Sequence, residues 1–149
     1  MKLNFIISLS ALSLFMLVFA SCNKDVDIPK AYFADPECEA GRTGTIKLHL
    51  LPEHHGEPIP SQPAYPDTAF IKFNANEYPG GDDPSLYDLV VTGSSGSFEV
   101  VVDSMSCGNY FIFMTGFDVS IAERVKGGIP VTIHESDVDR SIKIPVTED

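Results

Sequence analysis

The stretch Ser97 to Thr115, SFEVVVDSMSCGNYFIFMT, decides the fold. Phe98, Val100 and Val102 alternate with Glu99, Val101 and Asp103, the period of two that a strand shows when one face is buried and the other wetted. Past Ser106-Cys107-Gly108, the run Asn109 to Thr115 is apolar on both faces, Tyr110, Ile112 and Met114 on one and Phe111 and Phe113 on the other. A run of that kind needs cover on both sides, so it predicts a central strand. Upstream, Tyr87 to Thr92 is joined to Ser97–Asp103 by Gly93-Ser94-Ser95-Gly96, whose glycines supply positive φ angles; this predicts a hairpin.

The same period recurs outward from this centre. Thr45 to Leu50 sets Ile46, Leu48 and Leu50 against Lys47 and His49, and Ala69 to Asn74 sets Ala69, Ile71 and Phe73 against Phe70, Lys72 and Asn74. Pro52 to Pro66 is expected to be a proline-rich loop, and Asn76 to Pro84 a second long loop. Pro130–His134 and Ser141–Val146 supply the last strands, and no segment carries a helical period. The expectation is an all-β domain over residues 43–149, an antiparallel β-sandwich of about seven strands.

Gly96-Ser97-Phe98-Glu99-Val100, followed by Met105-Ser106-Cys107-Gly108-Asn109-Tyr110-Phe111-Ile112, resembles the pattern of prealbumin-like domains of the transthyretin, Cna-B and carboxypeptidase-regulatory-like type. There a turn glycine leads into an apolar strand and an aromatic opens the next. Gly56-Glu57-Pro58-Ile59-Pro60, leading to Ala69–Phe73, resembles the same family's approach to its second strand. The resemblance implies a sandwich whose hairpin strands feed opposite sheets. It fixes no function, because such modules serve as stalks, linkers and accessory domains. The lysine–asparagine crosslink of some Cna-B domains is not expected: Lys47 points away from Ile46, Leu48 and Leu50, and Ser141–Val146 holds no asparagine or aspartate.

The first residues carry one charge, Lys2, then an apolar run from Phe5 to Ala20 broken only by Ser8, Ser10 and Ser13. At roughly sixteen residues it is shorter than the ~20 a spanning helix needs, so residues 1–21 are expected to be a signal peptide. Leu17-Val18-Phe19-Ala20-Ser21-Cys22 resembles the lipobox of bacterial lipoproteins, which implies acylation of Cys22 and a membrane anchor of two or more chains. The polar, acidic run after it, Asn23-Lys24-Asp25-Val26-Asp27, resembles the export signal of Bacteroidetes-type lipoproteins. Residues 22–42 are then a flexible tether. The expected location is the outer membrane, facing the periplasm or the cell surface, with an envelope or surface protein as partner. A net charge of −11 repels nucleic-acid phosphates, so no nucleic acid is expected as a partner.

With Cys22 acylated, Cys38 and Cys107 are the remaining thiols, and a pair in an exported chain reads as a disulfide, with two free thiols or a metal pair, lacking CxxC spacing or a neighbouring histidine, as the competing reading. Closing a loop of about 70 residues would stabilise the fold by roughly 4 kcal/mol. The candidate metal ligands are His54 and His55, flanked by Glu53 and Glu57; two imidazoles beside carboxylates suit zinc, copper or nickel, provided the loop curls enough for neighbours to converge. His49 and His134 are further imidazoles that could join them. Backbone-bonded loop histidines are the competing reading, and no cofactor is otherwise expected. Glu77, Asp82, Asp83 and Asp88 gather oxygen ligands around Gly80-Gly81 without the alternation of a calcium loop. With no tryptophan, Tyr65, Phe70, Tyr78, Tyr87, Phe111, Phe113 and Phe117 are expected to pack a core rather than stack on sugars. Ser94-Ser95 lacks a GxSxG frame, and no paired carboxylates stand out for acid–base work, so a non-enzymatic module is the expectation.

Overall fold

The computed structural model describes residues 38–149. The expected signal peptide, the expected acylation site Cys22 and most of the expected tether lie outside the described residues. The described residues are all-β: strands β1 (Ile46–His54), β2 (Glu57–Pro58), β3 (Thr68–Phe73), β4 (Leu89–Thr92), β5 (Val100–Met105), β6 (Gly108–Asp118), β7 (Glu123–Ile133) and β8 (Asp139–Glu148), with a 3-10 turn at Pro84–Leu86. They form one curled sheet with the shape of a half-barrel, in the order β2-β1-β8-β7-β6-β3-β4, with β5 also paired to β1.

The expected antiparallel sheet is corrected to a mixed one. β1 and β8 run parallel along eight residue pairs, from Lys47 beside Asp139 to His54 beside Val146. A parallel pair needs a long connection, and here the rest of the domain supplies it. The corner where β7 meets β8 has a short backbone ladder, Val125–Glu148 and Lys126–Thr147, with the Arg140 guanidinium also donating to the Thr132 carbonyl. Gly127 sits at this corner, where a Cβ would lie 2.2 Å from the Pro145 carbonyl oxygen, so only glycine lets the strands approach.

Alternation along each strand builds two apolar layers. Ile46, Leu48 and Leu50 meet Val100, Val102, Ile71, Tyr110, Ile112, Met114, Ile133 and Ile144 in the main core. On the other face of β3 and β6, Phe70, Phe111 and Phe113 pack with Tyr87, and Tyr78 covers Phe111 and Phe113 at 5.9 and 5.1 Å between ring centroids. The double cover expected for Asn109–Thr115 is present, with β6 between β3 and β7.

Three expectations change. First, Gly93–Gly96 does not close a hairpin: β4 pairs with β3 and β5 with β1. The loop is held instead from outside, Gly93 N–H donating to the Asp67 carbonyl and Gly96 N–H to that of Ser61. Second, Phe98 is 51% exposed, because β5 begins two residues later at Val100 and the alternation does not extend back to it. Third, the proline-rich loop does not start at Pro52. β1 continues through Pro52 and Glu53 to His54, and Pro52 falls between the end of the β5 pairing at Leu50 and the start of the β2 pairing at Glu53, where a missing N–H is tolerated.

The start of the described chain is part of the body. Cys38 is disulfide-bonded to Cys107, with Cα atoms 5.2 Å apart. Ala40 is buried, and the Tyr110 hydroxyl accepts the Gly41 N–H at 2.9 Å while donating to the Ser106 carbonyl at 2.8 Å. Residues 38–42, assigned to the tether by composition, are thus fastened to the turn before β6.

Candidate metal site at the end of β1

β1 buries every second residue from Ile46 onward, and His54 takes the last inward slot. Only 4% of it is exposed. The next two residues, His55 and Gly56, have φ of 52° and 83°, so β1 turns into β2 through a two-residue connection with both central residues left-handed. Those angles match the twist of the flanking strands, and histidine is among the residues enriched in that region. The turn lifts His55 out of strand alternation, which would otherwise send adjacent side chains to opposite faces. The two rings lie 4.1 Å apart between centroids.

Two other strand ends meet them. The parallel register that sets His54 beside Val146 brings Glu148, two residues on, to the same pole. The Glu148 Oε1 lies 3.4 Å from His54 Nε2 and 3.7 Å from His55 Nε2. Among the described residues this is the one group of three side chains able to hold a metal ion, its donor atoms all within 4.8 Å of one another. At the end of β6, Asp118 accepts a 2.7 Å hydrogen bond from His54 Nδ1–H. Its other oxygen accepts from the Ser120 N–H at 2.8 Å and the Ser120 hydroxyl at 2.7 Å.

These bonds fix the protonation pattern. Hydrogen bonds from Ser120, and then from His54, hold the Asp118 carboxyl below its ordinary value. The Asp118 bond raises the His54 pKa against the opposing effect of burial. With the proton of the neutral ring held on Nδ1, the Nε2 lone pair faces His55 and Glu148. His54 Nε2 is buried with no hydrogen-bond partner of suitable geometry. A serine, an aspartate and a histidine are in contact here, but Ser120 bonds the aspartate and not the imidazole, so the ring has no hydroxyl to activate.

The other candidates go elsewhere. His49 projects from the outer face of β1 between Glu99 and Asp139, 3.0 Å from each, far from His54. His134 is exposed after β7, its backbone N–H donating to Asp137. In the acidic loop, Asp83 caps the 3-10 turn by accepting the Ser85 N–H, and Asp88 accepts from Phe73 N–H and pairs with Lys72, so these carboxylates shape the chain.

Sequence reasoning missed Asp118, Glu148 and Asp67. Asp118 and Glu148 lie at strand ends beyond the apolar runs that marked β6 and β8. Asp67 is wholly buried with neither carboxylate oxygen hydrogen-bonded, and burial pushes its carboxyl up to about 7. Nearby, an open groove of about 330 Å³ is lined by Tyr65, Phe70, Asp82, Thr115 and Arg124, with Tyr65 stacked on Phe117 at 5.0 Å.

A scan against protein-family models, a search of curated proteins and a search of solved structures each returned no match.

Proposed function

We propose that this protein is an exported lipoprotein of the Bacteroidetes type, acylated on Cys22, whose body is a prealbumin-like β-sandwich acting as a non-enzymatic binding or structural module. It sits on the outer membrane, facing the periplasm or the cell surface, and its partner is an envelope or surface protein. The observation that carries the reading is the Cys38–Cys107 disulfide. Disulfides persist in oxidising compartments, which agrees with a signal peptide before Cys22. The bond also fastens the chain leading from Cys22 to the turn before β6, so pull on the tether is borne by a covalent link.

The tether arrives at one pole. Cys107 follows Met105, which pairs with Ile46 at the start of β1. The His54 turn ends the same strand, about 26 Å further on at strand rise. A module anchored this way presents the β1–β2 turn and the ends of β6 and β8 to its surroundings.

The test is metabolic labelling of the full chain with an alkyne fatty acid in a bacterial host, followed by membrane fractionation, beside Cys22→Ser. Label and membrane association that both vanish in the variant support the proposal. Unlabelled wild-type chain, or a variant that keeps its label, overturns it. Protease treatment of intact cells then separates the surface from the periplasmic orientation.

A further inference from the structure

We propose that His54, His55 and Glu148 bind one divalent transition-metal ion, zinc foremost, with the fourth coordination position open to water or to a donor from a partner. The inference is independent of the lipid anchor.

Two features carry it. The first is convergence from distant sequence: a tetrahedral zinc with bonds of about 2.0–2.2 Å sets its donors roughly 3.4 Å apart. The His54–Glu148 separation of 3.4 Å already meets that spacing, and that of His55 to Glu148 is 3.7 Å. The remaining adjustment falls on His55, whose side chain is 78% exposed and free to rotate. The second is the state of His54. Its Nε2 is buried and makes no hydrogen bond of good geometry, with only the 3.4 Å approach of the Glu148 carboxylate beside it, so the metal-free protein leaves it poorly satisfied at a cost in stability. A bound cation turns that cost into a bond.

The surroundings fit the same ion. Metal-bound histidines commonly donate their second N–H to a carboxylate, which fixes the ring and raises its basicity. Asp118 does this for His54, and Ser120 orients Asp118 in turn. Two nitrogens and one oxygen favour a borderline ion such as zinc over calcium, which takes oxygen ligands in larger number. Three protein ligands leave a coordination position unfilled, and the exposure of His55 and Glu148 puts it at the surface.

The experiment is calorimetric titration of the full chain, carrying no histidine tag, with zinc, together with cobalt(II) absorption as a report of coordination geometry. One zinc per chain and tetrahedral cobalt bands are expected. His55→Ala and Glu148→Gln, both at exposed positions, should each weaken zinc binding by at least tenfold. Asp118→Asn should weaken it by about 10- to 100-fold with the three ligands still in place. Circular dichroism of each variant establishes that the fold persists, and His55→Ala keeps the test valid should Asp118→Asn unfold. No zinc uptake by the folded wild type overturns the proposal. So does a His55→Ala/Glu148→Gln double variant that binds as the wild type does, since the ion would then reside on the acidic surface.

Discussion

The two ends of β1 handle buried polar groups in opposite ways. At the Ile46 end, the Tyr110 hydroxyl is fully used, accepting the Gly41 N–H and donating to the Ser106 carbonyl, beside the Cys38–Cys107 bond. At the His54 end, an equally buried ring satisfies one nitrogen on Asp118 and leaves the other without a hydrogen bond. Folding alone explains the first arrangement: every polar group withdrawn from water has a partner, and a covalent link holds the chain. It accounts less well for the second, where a histidine occupies the inward slot that follows Leu48, Leu50 and Pro52 and only one of its two nitrogens makes a good hydrogen bond. The contrast assigns structural duty to one pole and ligand binding to the other.

The largest expected effect belongs to the structural pole. Changing Cys38 and Cys107 together to serine should lower the unfolding free energy by about 2–4 kcal/mol, from the freed loop of 69 residues. Urea denaturation of wild type and variant measures it. A loss under 1 kcal/mol would mean that Ala40, Gly41 and Tyr110 hold the segment without the bond, and the contrast between the poles would blur. Tyr110→Phe should cost about 1–3 kcal/mol, because the Gly41 N–H and the Ser106 carbonyl lose their partner in a tight core. Hydrogen exchange at Gly41 should accelerate in the same variant.

Asp67 provides a third site with which to sharpen the comparison, since it too is buried with carboxylate oxygens that accept no hydrogen bond but belongs to no three-residue ligand group among the described residues. Burial pushes its carboxyl up to about 7 in the folded chain, from an ordinary value of 3.8. Below pH 4 both states hold the proton and no penalty arises. Between pH 4 and 7 the unfolded chain releases the proton first, so stability falls as pH rises; above pH 7 the full cost of the buried charge is present. Asp67→Asn should flatten that decline and leave the variant more stable than wild type at pH 8 by about 1–3 kcal/mol. An unchanged slope would show that Asp67 reaches water and stays ionised.

The fold was legible where one residue pattern determined one outcome. The two-faced apolar run Asn109–Thr115 can only be a covered strand, and it is. The Ser97–Asp103 alternation placed Val100 and Val102 inside, but period two cannot say which strand lies beside them; partner choice depends on long-range packing. That is why Gly93–Gly96 promised a hairpin and the chain instead crosses to β1, while the two-residue His55-Gly56 turn went unseen behind Pro52. The site was half legible for a related reason. His54 and His55 are adjacent in sequence, whereas Glu148 joins them only through the parallel β1–β8 register and Asp118 only through the end of β6. No local spacing rule records contacts between residues 64 positions apart, as His54 and Asp118 are, or further.

The smallest expected effect is the most discriminating. His55 sits at the exposed tip of the β1–β2 turn, and its one ion pair, to Glu148 at 3.7 Å, is solvent-exposed and worth little. By packing alone, His55→Ala should be nearly silent, within about 0.5 kcal/mol of wild type in chelator-treated protein. His55→Asn, which suits the left-handed turn better, should be neutral or slightly stabilising there. If the pole is a metal site, adding zinc at a hundredfold excess over its dissociation constant should stabilise wild type by about 2.7 kcal/mol, and both variants, binding at least tenfold more weakly, should lose about half of that gain or more. The same side chain then contributes almost nothing to the metal-free fold and a great deal to the zinc-bound one. Equal zinc responses in all three proteins would leave His54 a buried histidine bonded to one carboxylate, and would make the two ends of β1 alike.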